Sequence, residues 1–411
     1  MTDILDSFRT VWTVDFEFCR HPTLQPDVVC LAARELHSGT KLALWRDEIG
    51  PVPPYDIGDD AIVVFYSGQE AELACHLALG WRLPENCIDL IAEYRMAING
   101  LEYAKPAMSL LEACAACGVT TYISQGDKDR VRQRIIAGWP FSDAERAEIL
   151  GMCQYDVQEE EALLLKLPPV ARTHFALHYG DYIKAIARAW FRGVPLDPRF
   201  TALTGHRTTR QHLQEKIIEG LEDRFPVWDG VTLKNQKLGQ VFADYGYPLP
   251  AAGPSGRVVS EQDKLRRIIG DSGPLVELVD GMHTLGQLRE FDLPIGSDNR
   301  LRAWFAPFWT ATSRAAPATN EYIFNLPAWL RGAMAPPTGY ALVYTDWSAM
   351  EFGIAGARSG DTAMTAFYHQ PCWAPSARSD PRDTRARARV VQTRHLVDTV
   401  QSRGSNLGTA D

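Results

Sequence analysis

The feature that most constrains the fold is a segment of alternating β-forming residues near the start of the chain, TVWTVDFEFCR at residues 10–20. Its two acids, Asp15 and Glu17, are two residues apart, so in a strand both side chains leave the same face. Neighbouring carboxylates repel each other and resist burial, while the Trp, Val and Phe residues that alternate with them favour a buried strand over one that faces solvent. A pair of divalent cations removes this conflict in nucleases. The segment therefore predicts a strand that carries part of a metal site.

Composition places the chain among soluble globular proteins of more than one domain. Its 411 residues exceed what one ordinary core supports, and 45% of them are apolar while 23% are charged. The net charge of −9 does not indicate nucleic-acid binding, although a local basic groove is compatible with it. The sequence shows neither a secretory signal nor an apolar run long enough to span a membrane, so we predict a cytoplasmic protein without a membrane partner. The eight cysteines are accordingly expected to be buried, reduced thiols.

Hydrophobic periodicity divides the chain into four parts. Residues 1–167 contain strand signals followed by helical segments, which predicts an α/β domain with a mixed sheet. Residues 168–300 are almost wholly helical, and a slight local excess of Lys and Arg fits a phosphate-facing surface or a solvated helix face equally well. Residues 301–370 read as loops and short strands rich in aromatic residues. Residues 371–411 form an Arg-rich tail that we expect to be disordered.

Further acids follow at places that fit a metal site. The apolar run AIVVFYSG leads into a helix that carries Glu70 and Glu72, and Asp156 lies in the helical segment MCQYDV. This order, with D-x-E on the first strand, an acid after a later strand and an Asp on a final helix, resembles the DEDD family of 3′–5′ exonucleases. The best-matching sub-group is the proofreading domain of family A DNA polymerases. The resemblance implies an RNase H-like exonuclease domain with a two-metal site for Mg²⁺ or Mn²⁺. The catalytic acids it implies are Asp15, Glu17, Glu72 and Asp156.

Three positions depart from the pattern of that family. Its second motif usually offers Asp preceded by Asn, whereas this chain has Glu72, with Glu70 as a rival acid and Gly68 at the Asn position. Met152 replaces a Tyr that orients a water molecule, so an active nuclease and a non-catalytic DNA-binding protein both remain open. Asp89, in CIDLIAEY, matches a supporting Asp of the family, and a helix cap is an equally good interpretation.

A second informative segment is LVYTDWSAMEFGIAGARSGD at residues 342–361. It predicts a strand that delivers Asp346 at its end, followed by a helix with Ser348 as its N-cap. Six residues at fixed spacing make it resemble motif A of family A DNA polymerases. They are Asp346, Trp347, Ser348, Glu351, Ser359 and Asp361. The resemblance implies that Asp346 is a catalytic metal ligand and that Glu351 contacts the sugar of the incoming nucleotide.

The segment upstream resembles the motif that precedes motif A, with Ser313 in place of the usual Gly. The matching residues are Thr312, Arg314, Asn325, Pro327 and Arg331. By this resemblance Arg314 and Arg331 contact DNA, residues 168–300 are a mostly helical thumb, and residues 301–370 are a partial α+β palm. The implied partners are DNA, as a primer–template or a single-stranded 3′ end, and dNTPs.

The resemblance stops near residues 369–370, where the tail begins. The fingers helix and the strand with the second catalytic Asp are not found after it, and the sudden change of composition looks like a truncated or frameshifted reading frame. We therefore expect a family A DNA polymerase polypeptide of DNA replication, with a 3′–5′ exonuclease domain and without polymerase activity. The alternatives are a non-catalytic DNA-binding relic and a stand-alone DEDD-type exonuclease.

Overall fold

A computed structural model describes residues 3–101, 109–199, 207–250, 258–289, 293–317, 332–343 and 349–369. The chain forms two compact units, one that ends at Tyr340 and one that begins at Ala341. Among the described helices, none has the length and apolar character needed to cross a membrane.

The first unit begins with a five-stranded sheet. Its strands are β1 (Thr10–Arg20), β2 (Pro26–Glu35), β3 (Lys41–Trp45), β4 (Ala61–Phe65) and β5 (Asn86–Asp89). They lie in the order β3-β2-β1-β4-β5. Strand β2 pairs antiparallel with β1 and β3, whereas β4 pairs parallel with β1 and β5. The mixed sheet that the sequence predicts is therefore present.

Strand β5 lies where the helical periodicity of CIDLIAEYRMAI, at residues 87–98, predicts a helix from its first residues. These residues pair with β4 instead, and the helix begins only at Leu90. Asp89 ends the strand and caps the helix by accepting a hydrogen bond of 3.1 Å from the backbone N–H of Ile91. The pairing buries Cys87 and its neighbours, and in so short an apolar run such tertiary pairing outweighs local periodicity.

Six helices surround or follow the sheet in the described part of this region. They are α1 (Glu72–Ala78), α2 (Leu90–Ile98), α3 (Leu110–Ala116), α4 (Gln125–Ile136), α5 (Asp143–Lys166) and α6 (His174–Arg192). The long helix α5 begins with a capping box, in which Ser142 and Glu145 each accept a hydrogen bond from the other's backbone N–H. Short 3₁₀ helices occupy Ile4–Ser7, Arg46–Glu48 and Pro169–Arg172.

The alternation of β1 decides which side chains meet which helices. Its even-numbered side chains pack with residues of α1 and α6 in one hydrophobic cluster. On the opposite face, which α5 covers, Val11 belongs to one cluster and Cys19 to another. Asp15 and Glu17 lie on this face between the two clusters, so the apolar packing between sheet and helix is interrupted at their level.

Helix α6 packs against the sheet although the sequence groups it with the helical region. Its Ile183 and Ala187 are fully buried in the cluster on the even-numbered face of β1. Gly180 lies so close to β5 that an added Cβ would be 2.0 Å from the carbonyl oxygen of Cys87. The close approach of helix and strand therefore requires glycine at this position.

The rest of the first unit is mainly helical up to residue 289. Its elements are β6 (Val194–Pro195), α7 (Arg207–Glu222), β7 (Trp228–Asp229), β8 (Thr232–Leu233), α8 (Asn235–Asp244), α9 (Gln262–Ile269) and α10 (Val276–Arg289). They enclose a separate hydrophobic core around Phe225 and Phe242, both fully buried. Two-residue strands follow, namely β9 (Arg300–Leu301), β10 (Phe305–Ala306) and β11 (Ala316–Pro317).

Arg302 joins the segment 293–317 to the sheet region. Its side chain is almost completely buried, forms an ion pair with Asp298, and donates hydrogen bonds to the carbonyl oxygens of Thr23 and Phe191 at 2.6 and 3.2 Å. Since a buried guanidinium is stable only when its donors are matched, these contacts fix the segment against the sheet and α6.

In the second unit, the described helices are α11 (Met350–Ser359) and α12 (Thr362–Tyr368). The helix predicted after Asp346 is thus present as α11. The strand predicted at 340–346 is not formed in the described residues 340–343, where Tyr340 and Val343 are about three-quarters exposed. The predicted tail, at residues 371–411, lies outside the described residues, and the domain boundaries stay predictions.

Candidate metal centre

The two acids of β1 lie on the face of the sheet that α5 covers. Asp15 lies opposite Ala32 of β2, Glu17 lies opposite Cys30, and the register shifts directly after Glu17. Such a β-bulge bends a strand and redirects its side chains, and bulges are common beside functional sites. The carboxylates of Asp15 and Glu17 have oxygens within 4.8 Å of each other, so the prediction that they share a face is confirmed.

Helix α5 brings two acids to the same level. Its buried stripe is apolar at both ends, with Cys153 towards one end and Leu163 towards the other. Between them the stripe contains Asp156 and Glu160, which are one helical turn apart and only 5% and 1% exposed. The acids of α5 therefore lie at the same level as the acids of β1, between the same two hydrophobic clusters.

The third contribution comes from Glu72, the first residue of α1, which is 2% exposed. Asp89 holds the loop before it by accepting hydrogen bonds from the backbone N–H groups of Ser67 and Gly68 at 3.1 and 3.0 Å. A Cβ on Gly68 would be 2.2 Å from a ring carbon of Phe65. The loop therefore has room only for glycine where the exonuclease family has Asn.

These elements bring five carboxylates together in what we call the acidic centre: Asp15, Glu17, Glu72, Asp156 and Glu160. It contains two groups of three acids whose oxygens lie within 4.8 Å of one another. The outer group comprises Asp15, Glu17 and Asp156, and the inner group comprises Asp15, Glu72 and Glu160. Asp15 belongs to both groups, so it would contribute a ligand to an ion held by either group.

The inner group has the donor set that a divalent cation requires. Oδ2 of Asp15, Oε2 of Glu72 and Oε2 of Glu160 are shielded from solvent and have no hydrogen-bond partner within the described part of the chain. A buried carboxylate oxygen without a partner costs stability unless a cation or a proton meets it. Clustered carboxylate oxygens are the ligands that Mg²⁺ and Mn²⁺ prefer, so these residues fit such an ion.

Burial and mutual repulsion raise the pKa values of the acidic centre. The pKa of Asp15 rises from 3.8 to about 7, first because the group is buried and then because of the charge of Asp156. Burial likewise raises the pKa of Glu17, Glu72 and Glu160 well above the usual range, with Asp15 as a further cause for each. Without a cation, these groups therefore bind protons more readily than ordinary carboxylates.

One ammonium group reaches the acidic centre. Lys128 of α4 donates hydrogen bonds from Nζ to both carboxylate oxygens of Asp156, at 2.6 and 2.7 Å. Burial lowers the pKa of Lys128, but the charges of Asp156, Asp15 and Glu17 outweigh burial and the pKa is raised overall. Lys128 is therefore charged and is part of the electrostatics of the site.

Other candidates from the sequence lie apart from the acidic centre. The rival acid Glu70 belongs to neither group of acids and lies 3.9 Å from Arg20. Met152 is 3% exposed and packs in the core between α4 and α5. Tyr155, next to Asp156 in sequence, stacks on Tyr122 at the surface, with 5.6 Å between ring centroids.

The described start of the segment that resembles the polymerase motif before motif A, at residues 310–314, forms a tight turn. The backbone N–H of Thr310 donates to the carbonyl oxygen of Arg314 at 3.2 Å, and the Arg314 side chain is exposed. Ser313 has φ of 57°, in the left-handed region that glycine adopts most easily, and the family has Gly at this position. Asn99 donates a hydrogen bond of 2.5 Å to the hydroxyl of Ser313, which offsets part of the strain.

The motif A residues are described only in part. Glu351 lies in the first turn of α11 and is exposed. Asp361 caps α12 by accepting hydrogen bonds from the N–H groups of Ala363 and Met364 at 2.9 and 3.0 Å. Arg331 and Asp346 lie outside the described residues, as do Asn325, Pro327, Trp347 and Ser348.

Glu160 of the acidic centre, and Lys128 that contacts the centre through Asp156, were not predicted from the sequence. Glu160 is four residues after Asp156, and an acid at a core position of an otherwise apolar helical stripe is a signal that could have identified it. Lys128 lies three and seven residues before Val131 and Ile135, which are both buried, so the three residues lie on the same side of α4. Its own position on the buried side of α4 is the corresponding signal.

Comparisons with known proteins give a likeness of fold. No protein-family model matches the chain, and no curated protein matches it. Among solved structures, the chain is similar to the POL domain of Pol1 from M. smegmatis in complex with DNA primer-template and dNTP, with a TM-score of 0.55 and 16% sequence identity. The similarity covers 88% of this chain and 62% of that one, so the chain spans less than two thirds of the neighbour's length.

At 16% identity the likeness concerns the fold alone. Residues from 168 onwards make up fewer than two thirds of the chain, so a match over 88% of it includes part of the N-terminal sheet region. The predicted resemblance to DNA polymerases is therefore confirmed at the level of a DNA polymerase-like fold.

Proposed function

We propose that the chain is a DNA polymerase polypeptide of the family A type, whose N-terminal sheet carries a divalent-metal-dependent 3′–5′ exonuclease site. The observation that carries the proposal is the acidic centre, where five carboxylates meet and three buried oxygens have no partner among the described residues. The strand order and the placement of Asp15, Glu17, Glu72 and Asp156 support an RNase H-like arrangement.

The residues of the acidic centre would hold Mg²⁺ or Mn²⁺, with Asp15 shared between the outer and inner groups. Such an ion supplies Lewis-acid charge that activates a water molecule and stabilises the leaving 3′ oxygen of a phosphodiester. Glu72 on α1 and Glu160 on α5 complete the inner group, and both side chains are buried. Asp89 keeps Glu72 in place through the loop it anchors.

DNA is the proposed substrate because of the polymerase-like fold. The similar POL domain is described as a complex with DNA primer-template and dNTP. In this chain the exposed Arg314, which the sequence resemblance assigns to DNA, would contact a phosphate of the primer or template. A single-stranded 3′ end is then the substrate of the acidic centre, and a primer–template is the ligand of the remaining regions.

The test is degradation of a single-stranded DNA oligonucleotide labelled near its 5′ end, in Mg²⁺ or Mn²⁺. We expect stepwise shortening from the 3′ end by the wild-type protein, and a loss of about a hundredfold or more in Asp15→Asn and Glu17→Gln. Glu70→Gln is the matched control, because Glu70 is a nearby acid outside the acidic centre. Equal degradation by the wild type and Asp15→Asn would contradict the proposed site.

A second candidate function, DNA binding without hydrolysis, is favoured by one observation. Met152 stands where the family has a water-orienting Tyr, and its side chain is buried in the core. This candidate predicts that the protein retains a labelled strand on a filter, more weakly as salt rises, and never shortens it in either metal.

The lack of polymerase activity stays a prediction from the sequence, since Asp346 lies outside the described residues. Glu351, exposed in α11, is the proposed contact for the incoming nucleotide. We predict no primer extension by this chain, and extension that Asp346→Ala abolishes would contradict that prediction.

A further inference from the structure

The two groups of acids differ in the positive charge that accompanies them. In the outer group, Asp156 is already matched by Lys128, whose Nζ lies 2.6 and 2.7 Å from its two oxygens. In the inner group, one oxygen each of Asp15, Glu72 and Glu160 is buried without a hydrogen-bond partner among the described residues. The outer group thus has a cation from the chain itself, whereas the inner group has a place for an added one.

The packing of α4 fixes the position of Lys128, which is not an exposed surface lysine. It lies three and seven residues before Val131 and Ile135, which are both 2% exposed and belong to the core shared with α5. Only about a fifth of the Lys128 side chain is exposed. The serine before α4, Ser124, caps the helix by accepting a hydrogen bond from the backbone N–H of Asp127, so the first turn, which ends next to Lys128, is fixed.

We propose that the ammonium group of Lys128 takes the place of one of the two divalent cations, so that the acidic centre binds a single divalent ion, in the inner group of Asp15, Glu72 and Glu160. The inference rests on the proposed function, because it concerns how the same site is loaded. A divalent ion at the outer group would compete with Lys128 for the charge of Asp156 and would be repelled by the ammonium group, which donates to both carboxylate oxygens.

An ammonium group in place of a divalent cation changes the chemistry of the site. An ammonium group offers three N–H donors and one positive charge, so it can neutralise a carboxylate and bind a phosphate oxygen. It cannot coordinate a water molecule and lower the pKa of that water, as a divalent ion does. Lys128 would therefore act as a positioning residue for the phosphate and for Asp156, and water activation would be left to the ion in the inner group.

The experiment counts Mn²⁺ ions by isothermal titration calorimetry and by electron paramagnetic resonance of free Mn²⁺, on the full chain without DNA. We expect one Mn²⁺ per chain for the wild type and for Lys128→Arg, which retains a cation. Lys128→Met, which removes the charge at similar size, should bind two. Lys166→Met is the matched control and should bind one, because Lys166 is an exposed lysine at the end of α5.

Each outcome is informative about a different claim. Two ions on the wild type, or one ion on a folded Lys128→Met protein, would overturn the role of Lys128 while leaving the metal site intact. No ion on either protein would overturn the proposed function together with this inference. Circular dichroism would reveal whether Lys128→Met folds. If it does not fold, two ions on the wild type or on Lys128→Arg would still overturn the role of Lys128.

Discussion

Asp15→Asn is expected to stabilise the metal-free protein while it destroys the site. Asn has nearly the shape of Asp but carries no charge, so it removes the repulsion within the acidic centre. The pKa of Asp15 is raised from 3.8 to about 7 in the folded protein. Between these values the folded state holds a proton that the unfolded state has released, so the free energy of unfolding falls as pH rises and levels off above about pH 7.

The magnitude follows from the same difference. A carboxyl group whose pKa rises from 3.8 to about 7 on folding loses about 4 kcal/mol of stability at alkaline pH. The Asn side chain must itself be desolvated, which we take to cost about 2 kcal/mol. Asp15→Asn should therefore raise the free energy of unfolding by about 2 kcal/mol near pH 8. Because the desolvation cost is independent of pH, it should lower the free energy of unfolding by about 1–2 kcal/mol near pH 4, where the charge penalty of Asp15 is nearly absent.

The assay is urea unfolding followed by circular dichroism at several pH values in the presence of a chelator. Asp223→Asn, at an exposed position, is the control and should change the free energy of unfolding by less than about 0.5 kcal/mol. Added Mn²⁺ should stabilise the wild type by about 2.7 kcal/mol at a hundred times its dissociation constant, and should not stabilise Asp15→Asn. The reasoning is refuted if Asp15→Asn is less stable than the wild type at pH 8 without metal.

Two further substitutions test the scaffold of the site. Gly68→Ala should destabilise the fold by about 2–3 kcal/mol in the same urea assay, because its Cβ would be 2.2 Å from the ring of Phe65. Gly151→Ala on α5 should stabilise the fold by about 0.5–1 kcal/mol, because no atom lies within 4 Å of the added Cβ. Burial raises the pKa of Glu35, but backbone donors including the N–H of Val11 outweigh burial and lower it to about 2, so its contribution is present above pH 4.5 and is lost as pH falls through about 2. Glu35→Gln should therefore cost about 2–3 kcal/mol at pH 7 and little near pH 2, and a pH-independent cost would contradict this assignment.

The part of the site that follows from strand alternation could be predicted from the sequence. Asp15 and Glu17 share a face because they are two residues apart in a strand, and this is independent of the rest of the fold. Asp156 could be placed through the family pattern, and the structure brings it within reach of both. Asp89 is a helix cap, which is one of the two interpretations that the sequence left open, and it also anchors the loop before α1.

The remaining features depend on tertiary contacts that local patterns do not contain. Lys128 meets Asp156 from a different helix, 28 residues away in sequence, so nothing near either residue indicates the pair. Residues 86–89 form a strand because β4 offers an edge to pair with, and not because of their own propensity. The packing of α6 on the sheet depends on Gly180 facing Cys87, a contact between segments far apart in the chain.

The most direct measurement of the central claim is anomalous X-ray diffraction from crystals soaked in Mn²⁺. We predict a strong peak in the acidic centre, bounded by the carboxylates of Asp15, Glu72 and Glu160, and the disappearance of that peak in crystals of Asp15→Asn. A wild-type crystal at saturating Mn²⁺ whose anomalous peaks all lie away from these carboxylates would contradict the account.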